Sequence, residues 1–405
     1  MDKDNENLPA NSGYSETIFQ ITEKYLNKYF NIRYNEVTNE LQYKKIGDKE
    51  SLYKEINIDE LYVRLQNDRI HISIQKLTSL LKAGIMENYN PFKTYFENLN
   101  KIDRKKEFDY IEQLVSYIKT KNQERFKKHF KKMLVRSVAC AINPNVVNKQ
   151  AFILVHDKQN SGKTTFLNWL CPTDLKDYIT ESIGTDKDSL IALGENFIIN
   201  MDELATFNRS EINALKSMLS KASIKIRHPF GRKAILTSRR ANFVGSTNKD
   251  SFLSDETGSV RWLCFELEYI DWNYTKDVNI DYVWAQAYDL YNSNFHYELT
   301  AQEIEENELE NKKHQIPSIE MDLIQRYFFP GTKESNNGFY TATDFLKILP
   351  EKLGMQFNST PEKMGKALKT LGFERSSKTN GVHSIKGYFI KMNLASELTH
   401  LPDSD

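Results

Sequence analysis

Cysteine is scarce in this 405-residue chain, and long apolar runs are absent from it. The three cysteines, Cys140, Cys171 and Cys264, lie far apart, which disfavours a disulfide framework or a thiolate zinc site and fits a reducing cytoplasm. No apolar stretch approaches the roughly 20 residues that a membrane-spanning helix requires. The N-terminal segment MDKDNENLPANSG is polar and contains acids, unlike a targeting peptide. We therefore expect a cytoplasmic protein without a membrane partner.

Net charge is also lacking, because 55 lysines and arginines balance 55 aspartates and glutamates. Overall charge therefore identifies no partner. The distribution along the chain is uneven, however. Residues 212–249 contain nine lysines and arginines and neither aspartate nor glutamate. This acid-free run is the strongest local candidate for contact with a polyanion.

The length exceeds that of a usual single core, so we expect two or three domains. Residues 101–141 have a helical pattern without glycine or proline. Beyond Asn143, short apolar runs at 151–155, 196–200, 241–245 and 261–267 predict the buried strands of an α/β sheet. The predicted segments are a disordered tail (1–14), an N-terminal region (15–140), an α/β core (141–295), a linker (296–317) and a C-terminal region (318–395). Within the linker, the acidic segment Glu303–Glu310 predicts a solvated helix or linker.

The run AFILVHDKQNSGKTTFLNWL joins an apolar strand, a polar loop and a helix, which is the context of a phosphate-binding loop. Backbone N–H groups and the helix N-terminus are expected to surround nucleotide phosphates. Lys163 adds a positive charge at the β and γ oxygens, and the Thr164 hydroxyl can coordinate magnesium. The predicted cofactors are ATP and Mg2+. The predicted nucleotide-binding residues are Asp157, Lys158, Gln159, Asn160, Ser161, Gly162, Lys163, Thr164 and Thr165.

Other predicted strands end or begin at polar residues. NFIINMDEL ends at Asp202, which can hold the metal, and Glu203, which can orient or deprotonate the attacking water. ANFVGSTN ends at Asn248, a candidate contact for the γ-phosphate. Arg261 precedes the next strand and can act as an arginine finger on the transferred phosphoryl group. These residues also have ordinary interpretations: Asp202 and Glu203 as a strand terminus, Asn248 as a turn residue and Arg261 as a surface arginine that forms an ion pair.

The segment IKIRHPFGRKAILTSRR within the acid-free run predicts a β-hairpin that turns at HPFG. Basic side chains together with a histidine and a phenylalanine suit an element that follows the backbone of single-stranded DNA and touches its bases. The alternative is a solvated charged face. The predicted DNA-contacting residues are Lys225, Arg227, His228, Phe230, Arg232 and Lys233.

Together, DKQNSGKTT, NMDEL, RHPFGRK, VGSTN and DETGSVRW resemble the superfamily 3 helicases of the virulence-associated E type, found in phages and mobile elements. The resemblance covers about residues 147–270. It implies an AAA+-like P-loop ATPase that forms a homo-oligomeric ring, a hexamer, with Arg261 reaching the neighbour's nucleotide and the hairpin lining a DNA channel. Asp157 departs from the family's glycine, and Val260 replaces the first of two arginines.

The flanks resemble those of such helicases less specifically. Residues 15–140 are similar to a mostly helical region with a collar, and the C-terminal part is similar to a winged helix, with Thr360-Pro361 starting one helix and a hairpin turning at 378–381. Upstream of the core the sequence has no primase-like metal cluster, so priming would require a separate primase.

The resemblance implies an ATP-dependent helicase acting on single-stranded DNA, or on duplex at a fork, during replication of a phage or mobile element in a bacterial cell. An ATP-switched replication initiator or loader without unwinding activity uses the same residues and stays open. A small-molecule P-loop kinase is disfavoured, because it needs neither the acid-free hairpin nor a winged helix.

Overall fold

The computed structural model divides into two compact units, one comprising Met1–Asp250 and Val260–Glu308 and the other Ser251–Ser259 and Leu309–Asp405. The predicted tail, residues 1–14, lies outside the described part of the chain. The structure describes residues 16–48, 52–83, 86–181, 183–184, 186–226, 234–249, 251–253, 260–353, 357–380 and 383–392.

A small four-stranded sheet with three helices begins the first unit. Thr17 starts the first helix through a capping box, in which its side chain accepts from Gln20 N and the Gln20 side chain accepts from Thr17 N. Leu26, Leu65 and Leu77 belong to the apolar cluster of this part. The elements are α1 (Ile18–Tyr29), β1 (Phe30–Asn35), β2 (Glu40–Lys45), β3 (Lys54–Glu55), α2 (Ile58–Asn67), α3 (Ile74–Lys82) and β4 (Glu87–Tyr89). The strand order is β3-β2-β1-β4, with only the β1–β4 pair parallel.

A six-stranded sheet forms the centre of the first unit. Its elements and those leading into it are α4 (Pro91–Leu99), α5 (Tyr110–Ser116), β5 (Ile118–Thr120), α6 (Gln123–Ile142), β6 (Ala151–Val155), α7 (Lys163–Trp169), β7 (Ile179–Thr180), α8 (Lys187–Glu195), β8 (Ile198–Met201), α9 (Arg209–Ser220), β9 (Ser223–Ile226), β10 (Ile235–Ser238), β11 (Asn242–Thr247), β12 (Trp262–Ile270), α10 (Tyr274–Asp277) and α11 (Ile280–Asn292). The strand order is β5-β12-β6-β11-β8-β7, and every pair except β5–β12 is parallel.

The four apolar runs predicted as buried strands are confirmed as β6, β8, β11 and β12. Every residue of β6, β8 and β11 is buried, which explains why their sequences contain apolar runs rather than a strict alternation of apolar and polar residues. Because these three strands are parallel neighbours, their C-terminal ends meet at one edge of the sheet. The chain is therefore a mixed α/β protein.

The prediction of a helical pattern throughout 101–141 is wrong at Ile118–Thr120. These residues form β5, which pairs antiparallel with β12 at the edge of the six-stranded sheet. Ile118 and Thr120 are buried there. Ladder hydrogen bonds and burial of two β-branched side chains outweigh local helix propensity.

The acidic segment predicted as a solvated helix or linker is a helix, α12 (Ala301–Lys313). Glu303 within it is buried, accepts a hydrogen bond from Lys132 Nζ at 2.8 Å and forms an ion pair with Lys128 Nζ at 2.9 Å. Burial alone would raise the pKa of Glu303, but these two lysines lower the pKa to about 2. The solvated interpretation is therefore wrong for Glu303, which ties α12 to α6.

The second unit combines helices with an antiparallel sheet. Its elements are α13 (Ile319–Tyr327), β13 (Phe328–Pro330), β14 (Gly338–Tyr340), α14 (Ala342–Leu353), α15 (Pro361–Thr370), β15 (Arg375–Asn380) and β16 (His383–Met392). Strand β16 pairs antiparallel with β13, β14 and β15. Thr360 caps α15 by accepting from Lys363 N at 3.3 Å, as its sequence predicts. Strand β15 continues through Asn380, further than the predicted turn allowed, because Asn380 pairs with His383.

Across the helices that the structure describes, none is both long and apolar enough to cross a bilayer.

Candidate functional site

A polar cleft lies at the sheet edge where β6, β8 and β11 end. Parallel register aligns Gly245 of β11 with Ile153 of β6 and Met201 of β8. A side chain at position 245 would collide with Met201 O at 2.8 Å, so only glycine allows this close approach of the strands. The cleft is lined by Gln159, Asn160, Ser161, Gly162, Lys163, Thr164, Thr165, Asp202, Glu203, Ser246, Thr247 and Asn248.

The loop between β6 and α7 has a defined shape. Asn160 and Gly162 carry its left-handed conformations, with φ values of 56° and 85°. The His156 ring accepts a hydrogen bond from Lys158 N at 3.0 Å and supports the turn. Asp157, which stands in the glycine position of the complete motif, has a side chain that is 75% exposed. Asp157 thus points to solvent, and neither it nor Lys158 lines the cleft.

Lys163 lies at the centre of this loop and is buried. Its Nζ donates to the carbonyl oxygens of His156 at 3.1 Å and Lys158 at 3.2 Å and to Ser161 Oγ at 2.9 Å. Burial lowers the pKa of Lys163, although the nearby carboxylate of Asp202 acts in the opposite direction. The loop therefore holds one positive charge among oriented backbone groups, an arrangement suited to an anion.

Asp202 faces the first turn of α7 across the cleft. Its Oδ1 accepts from Thr164 Oγ1 at 2.7 Å, from Ser246 Oγ at 2.6 Å and from Glu203 N at 3.0 Å. Burial alone would raise the pKa of Asp202, but these hydrogen bonds and Lys163 lower the pKa below its ordinary value. The carboxylate therefore stays ionised beside the hydroxyl.

The oxygens of Thr164 and Asp202 fit a hard cation such as Mg2+, which prefers oxygen ligands. Within the described residues, no group of three or more His, Cys, Asp or Glu side chains could cage a metal. A cation bound by this pair would need water and substrate oxygens to complete its coordination, which is how Mg2+ is usually held in phosphoryl-transfer sites.

Glu203 follows directly and has a left-handed backbone, with φ 48° and ψ 48°. This conformation costs a non-glycine residue on the order of 1–3 kcal/mol and is concentrated at functional sites. The Glu203 side chain is exposed and lines the cleft. The strained turn places Glu203 in the lining of the cleft, next in sequence to Asp202.

Ser246 is a site residue that sequence reasoning missed. It is buried near the end of β11, where its Oγ contacts Asp202 Oδ1 and lies 3.2 Å from Thr164 Oγ1. The available signal was a small hydroxyl residue at the end of an otherwise apolar strand. The neighbouring Asn248, which was predicted, also lines the cleft.

Arg261 does not line the cleft of its own chain. Strand β12 runs parallel to β6, and Ala151 N at the start of β6 donates to Arg261 O at 2.7 Å. The loop follows Val155 at the opposite end of β6. Because a strand rises about 3.3 Å per residue, the length of β6 separates Arg261 from the loop. Arg261 Nε donates instead to Ser220 Oγ at 3.1 Å.

The predicted hairpin has paired strands, since β9 and β10 are antiparallel from Ile226–Ile235 to Ser223–Ser238. Lys225 is exposed on β9. Arg239, further along the acid-free run, is buried and donates to the carbonyls of Ala241 and Asn148, so part of this positive charge serves the fold. The other predicted DNA contacts lie outside the described residues, namely Arg227, His228, Phe230, Arg232 and Lys233.

The family model of the virulence-associated protein E-like domain matches residues 98–316, more than half of the chain. The chain belongs to this family. The matched segment of this virulence-associated protein E-like chain contains every residue that lines the cleft, together with β9, β10 and Arg261. Among curated proteins, none matches the chain significantly.

Solved structures of the C-terminal region of NrS-1 resemble this virulence-associated protein E-like chain. The apo structure of NrS-1 residues 305–718 aligns with a TM-score of 0.52 at 12% identity, over 93% of this chain and 100% of that chain. Two A-form apo structures give TM-scores of 0.48 and 0.49 at 12% and 11% identity, over 92% and 93% of this chain and 99% and 100% of theirs. At such identity the likeness concerns the fold alone.

Proposed function

We propose that this virulence-associated protein E-like chain is an ATP-dependent DNA helicase that serves replication of a phage or mobile element. One observation carries the proposal: the loop around Lys163 and the Thr164–Asp202 pair face the same cleft at the C-terminal edge of a parallel sheet. A cationic loop opposite a cation-binding pair suits the triphosphate of Mg-ATP. The proposed core is an AAA+-like P-loop ATPase, and the second unit is proposed to be a winged-helix-like domain.

Each cleft residue has a chemical task in this proposal. The loop N–H groups and the Lys163 ammonium bind the β- and γ-phosphates, whose anionic oxygens attract the ammonium more strongly than the neutral carbonyls of His156 and Lys158 do. When bound, Mg2+ neutralises charge on the phosphate oxygens. Thr164 and Asp202 would hold that ion. Asn248 and Glu203 both line the cleft. Asn248 would contact the γ-phosphate, and Glu203 would orient or deprotonate the attacking water.

The Glu203→Gln variant is expected to bind ATP but to hydrolyse it about 100-fold or more slowly, because a neutral amide cannot accept the proton of the attacking water. Binding should persist because Glu203 makes no predicted phosphate contact. Isothermal titration with Mg-ATP measures the affinity, and steady-state phosphate release measures the rate of hydrolysis. Equal loss of affinity and turnover would contradict the assignment of Glu203 as the base.

The Ser246→Ala variant is expected to raise the Mg2+ concentration for half-maximal ATP hydrolysis by about 10-fold, since groups that orient metal ligands contribute roughly 10–100-fold. Removal of its hydroxyl takes away the hydrogen bond at 2.6 Å to Asp202 Oδ1. The Mg2+ dependence of phosphate release gives the readout. Ser79→Ala on α3, which removes an exposed hydroxyl remote from the cleft, is the control. An unchanged Mg2+ dependence would separate Ser246 from the metal site.

Contact with DNA is proposed for the hairpin of β9 and β10. Its support is the exposed Lys225 on a paired hairpin within a run that lacks acids. A basic hairpin suits single-stranded DNA because its cations displace counterions from the phosphate backbone. A homo-oligomeric ring, with a hexamer as the proposed size, would place several such hairpins around one strand.

Strand displacement tests the function itself. A labelled fork substrate should be unwound only with ATP and Mg2+, and single-stranded DNA should stimulate ATP hydrolysis. Charge reversal at Lys225 and Arg232 should weaken binding and reduce the salt dependence by about 0.7 in logarithmic slope for each lost contact. Lys149→Glu, exposed before β6, is the matched control.

The two alternative functions, an initiator or loader and a small-molecule kinase, predict different outcomes in the same assays. DNA-stimulated hydrolysis without strand displacement would favour the initiator or loader. Phosphorylation of a small acceptor independent of DNA would favour the kinase. Unchanged DNA affinity and salt slope after charge reversal would remove the hairpin from the DNA contact.

A further inference from the structure

An indole packs directly against the glycine that joins the loop to α7. A Cβ atom added at Gly162 would lie 2.8 Å from Trp272 Cζ2, 3.1 Å from Cη2 and 3.5 Å from Cε2. Gly162 has a φ of 85° and also caps α7, so it combines a left-handed backbone with an aromatic contact. Trp272 therefore borders the loop that is proposed to hold the phosphates.

The Trp272 ring is supported from the protein side. Tyr274 lies nearly parallel to it, with ring centroids 6.4 Å apart and an angle of 25°. Tyr274 is fully buried and meets Trp169 of α7 edge to face at 4.8 Å. The backbone is also held, because Thr275 N and Oγ1 both donate to Trp272 O, at 3.2 and 3.0 Å. The indole is thus placed by packing on a short turn.

Half of this large side chain remains exposed, at 50%. The other tryptophans are more enclosed, since Trp262 and Trp284 are fully buried and Trp169 is half-buried. A fixed aromatic ring with one side open to solvent is a stacking platform, because it loses little conformational entropy when a second ring covers it.

The position of the phosphates orients the rest of a nucleotide. Glu203 and Asn248 line the cleft. If they meet the attacking water and the γ-phosphate as proposed, the α-phosphate and the nucleoside would extend the other way along the loop. Gly162 and Trp272 border the loop at the start of α7. Trp272 does not itself line the cleft, so a base would meet the indole where it extends past Gly162.

We propose that Trp272 stacks on the nucleotide base, so that the site recognises a nucleoside triphosphate by the face of its base as well as by its phosphates. This inference rests on the proposed nucleotide site. Stacking favours the larger purine rings over pyrimidines, and it does not distinguish bases by the hydrogen-bonding groups on their edges. ATP and GTP should therefore bind with similar affinity, and both more tightly than CTP.

The test compares Mg-ATP with magnesium tripolyphosphate, which has the phosphates but no base. Trp272→Ala should weaken ATP binding by about 10-fold or more, since base stacking is worth roughly 1–3 kcal/mol, and should leave tripolyphosphate affinity unchanged. Trp272→Phe should restore most of the ATP affinity. Tyr269→Ala, which removes another exposed aromatic ring from the same end of β12, is the control. Steady-state hydrolysis should show a raised KM and a nearly constant kcat.

The outcomes are separable. If Trp272→Ala weakens the binding of ATP and of tripolyphosphate equally, Trp272 only shapes the loop through Gly162. If the affinity for both ligands is unchanged, Trp272 makes no contact with the nucleotide. Either result overturns the proposed stacking but leaves the proposed nucleotide site intact. Failure of the wild-type chain to bind either probe overturns the nucleotide site and, with it, this inference. Fluorescence quenching by ATP in the wild type, lost in Trp272→Phe, is the expected spectroscopic signature.

Discussion

The Lys163→Ala variant is expected to hydrolyse ATP about 100- to 1000-fold more slowly than the wild type, because a preorganised charged donor is removed from the transferred phosphates. The ammonium is buried in the loop, so water cannot replace it with the same geometry. Lys163→Arg should rescue little, since the guanidinium is larger and planar and does not fit a position surrounded by two carbonyls and Ser161 Oγ.

Steady-state phosphate release measures this effect, and binding of Mg-ATP by calorimetry separates loss of affinity from loss of turnover. Lys149→Ala removes an exposed lysine before β6 and should retain the wild-type rate. Thermal unfolding monitors the fold, because the buried Lys163 Nζ also makes three hydrogen bonds within the loop. A folded Lys163→Ala variant that hydrolyses ATP at the wild-type rate would place the activity elsewhere.

Mixing two inactive variants is expected to restore activity. Arg261→Ala alone should reduce hydrolysis by about 1000-fold if Arg261 acts as an arginine finger. Arg261 lies at the opposite end of β6 from the loop, so we propose that it serves a nucleotide bound by a neighbouring copy. In an equimolar mixture with Lys163→Ala, about a quarter of the head-to-tail interfaces would combine an intact Lys163 with an intact Arg261.

The mixture should therefore regain a substantial fraction of wild-type phosphate release, whereas each variant alone should not. Mixing Lys163→Ala with Glu203→Gln is the matched control, since both substitutions affect the same side of an interface and no complete site can form. Mass in solution establishes whether the copies associate. Absence of recovery from a demonstrably mixed ring would contradict the assignment of Arg261 to the neighbouring site.

Much of the candidate site could be predicted because it depends on strand ends. Buried parallel strands are rich in apolar residues, so β6, β8 and β11 can be recognised as short apolar runs, and the polar residues at their C-terminal ends must share one edge of the sheet. Glycine at 162 and the lysine after it marked the loop. The orientation of Asp157 could not be predicted, since nothing in the local sequence states whether an acid at that position faces the cleft or solvent.

Other features depended on tertiary contacts that local sequence does not encode. Ser246 reaches Asp202 only because β11 lies between β6 and β8. Strand β5 exists because β12 offers it a free edge. Trp272 is far from Gly162 along the chain and meets it only after β12 has joined the sheet next to β6. Such contacts follow from strand order, which a single sequence does not specify.

The burial of the charged segments also depends on tertiary contacts. Lys225 and Arg239 belong to one acid-free run, yet Lys225 is exposed on β9 while Arg239 is buried against carbonyl groups. The acidic sequence around Glu303 predicts a solvated helix or linker, whereas Glu303 is buried and accepts a hydrogen bond from Lys132 within the first unit. Charge composition identified the segments correctly as unusual, but only burial distinguishes a surface available to a polyanion from one that stabilises the fold.

The most direct test is a structure determined with Mg2+ and a non-hydrolysable ATP analogue. We expect the β-phosphate among the N–H groups of 159–165, with Lys163 Nζ in contact and the metal held by Thr164 Oγ1 and the Asp202 carboxylate. Glu203 should face the terminal phosphate. Nucleotide bound at another place, or none in this cleft under saturating conditions, would contradict the account, as would a bound nucleotide from which both acids turn away.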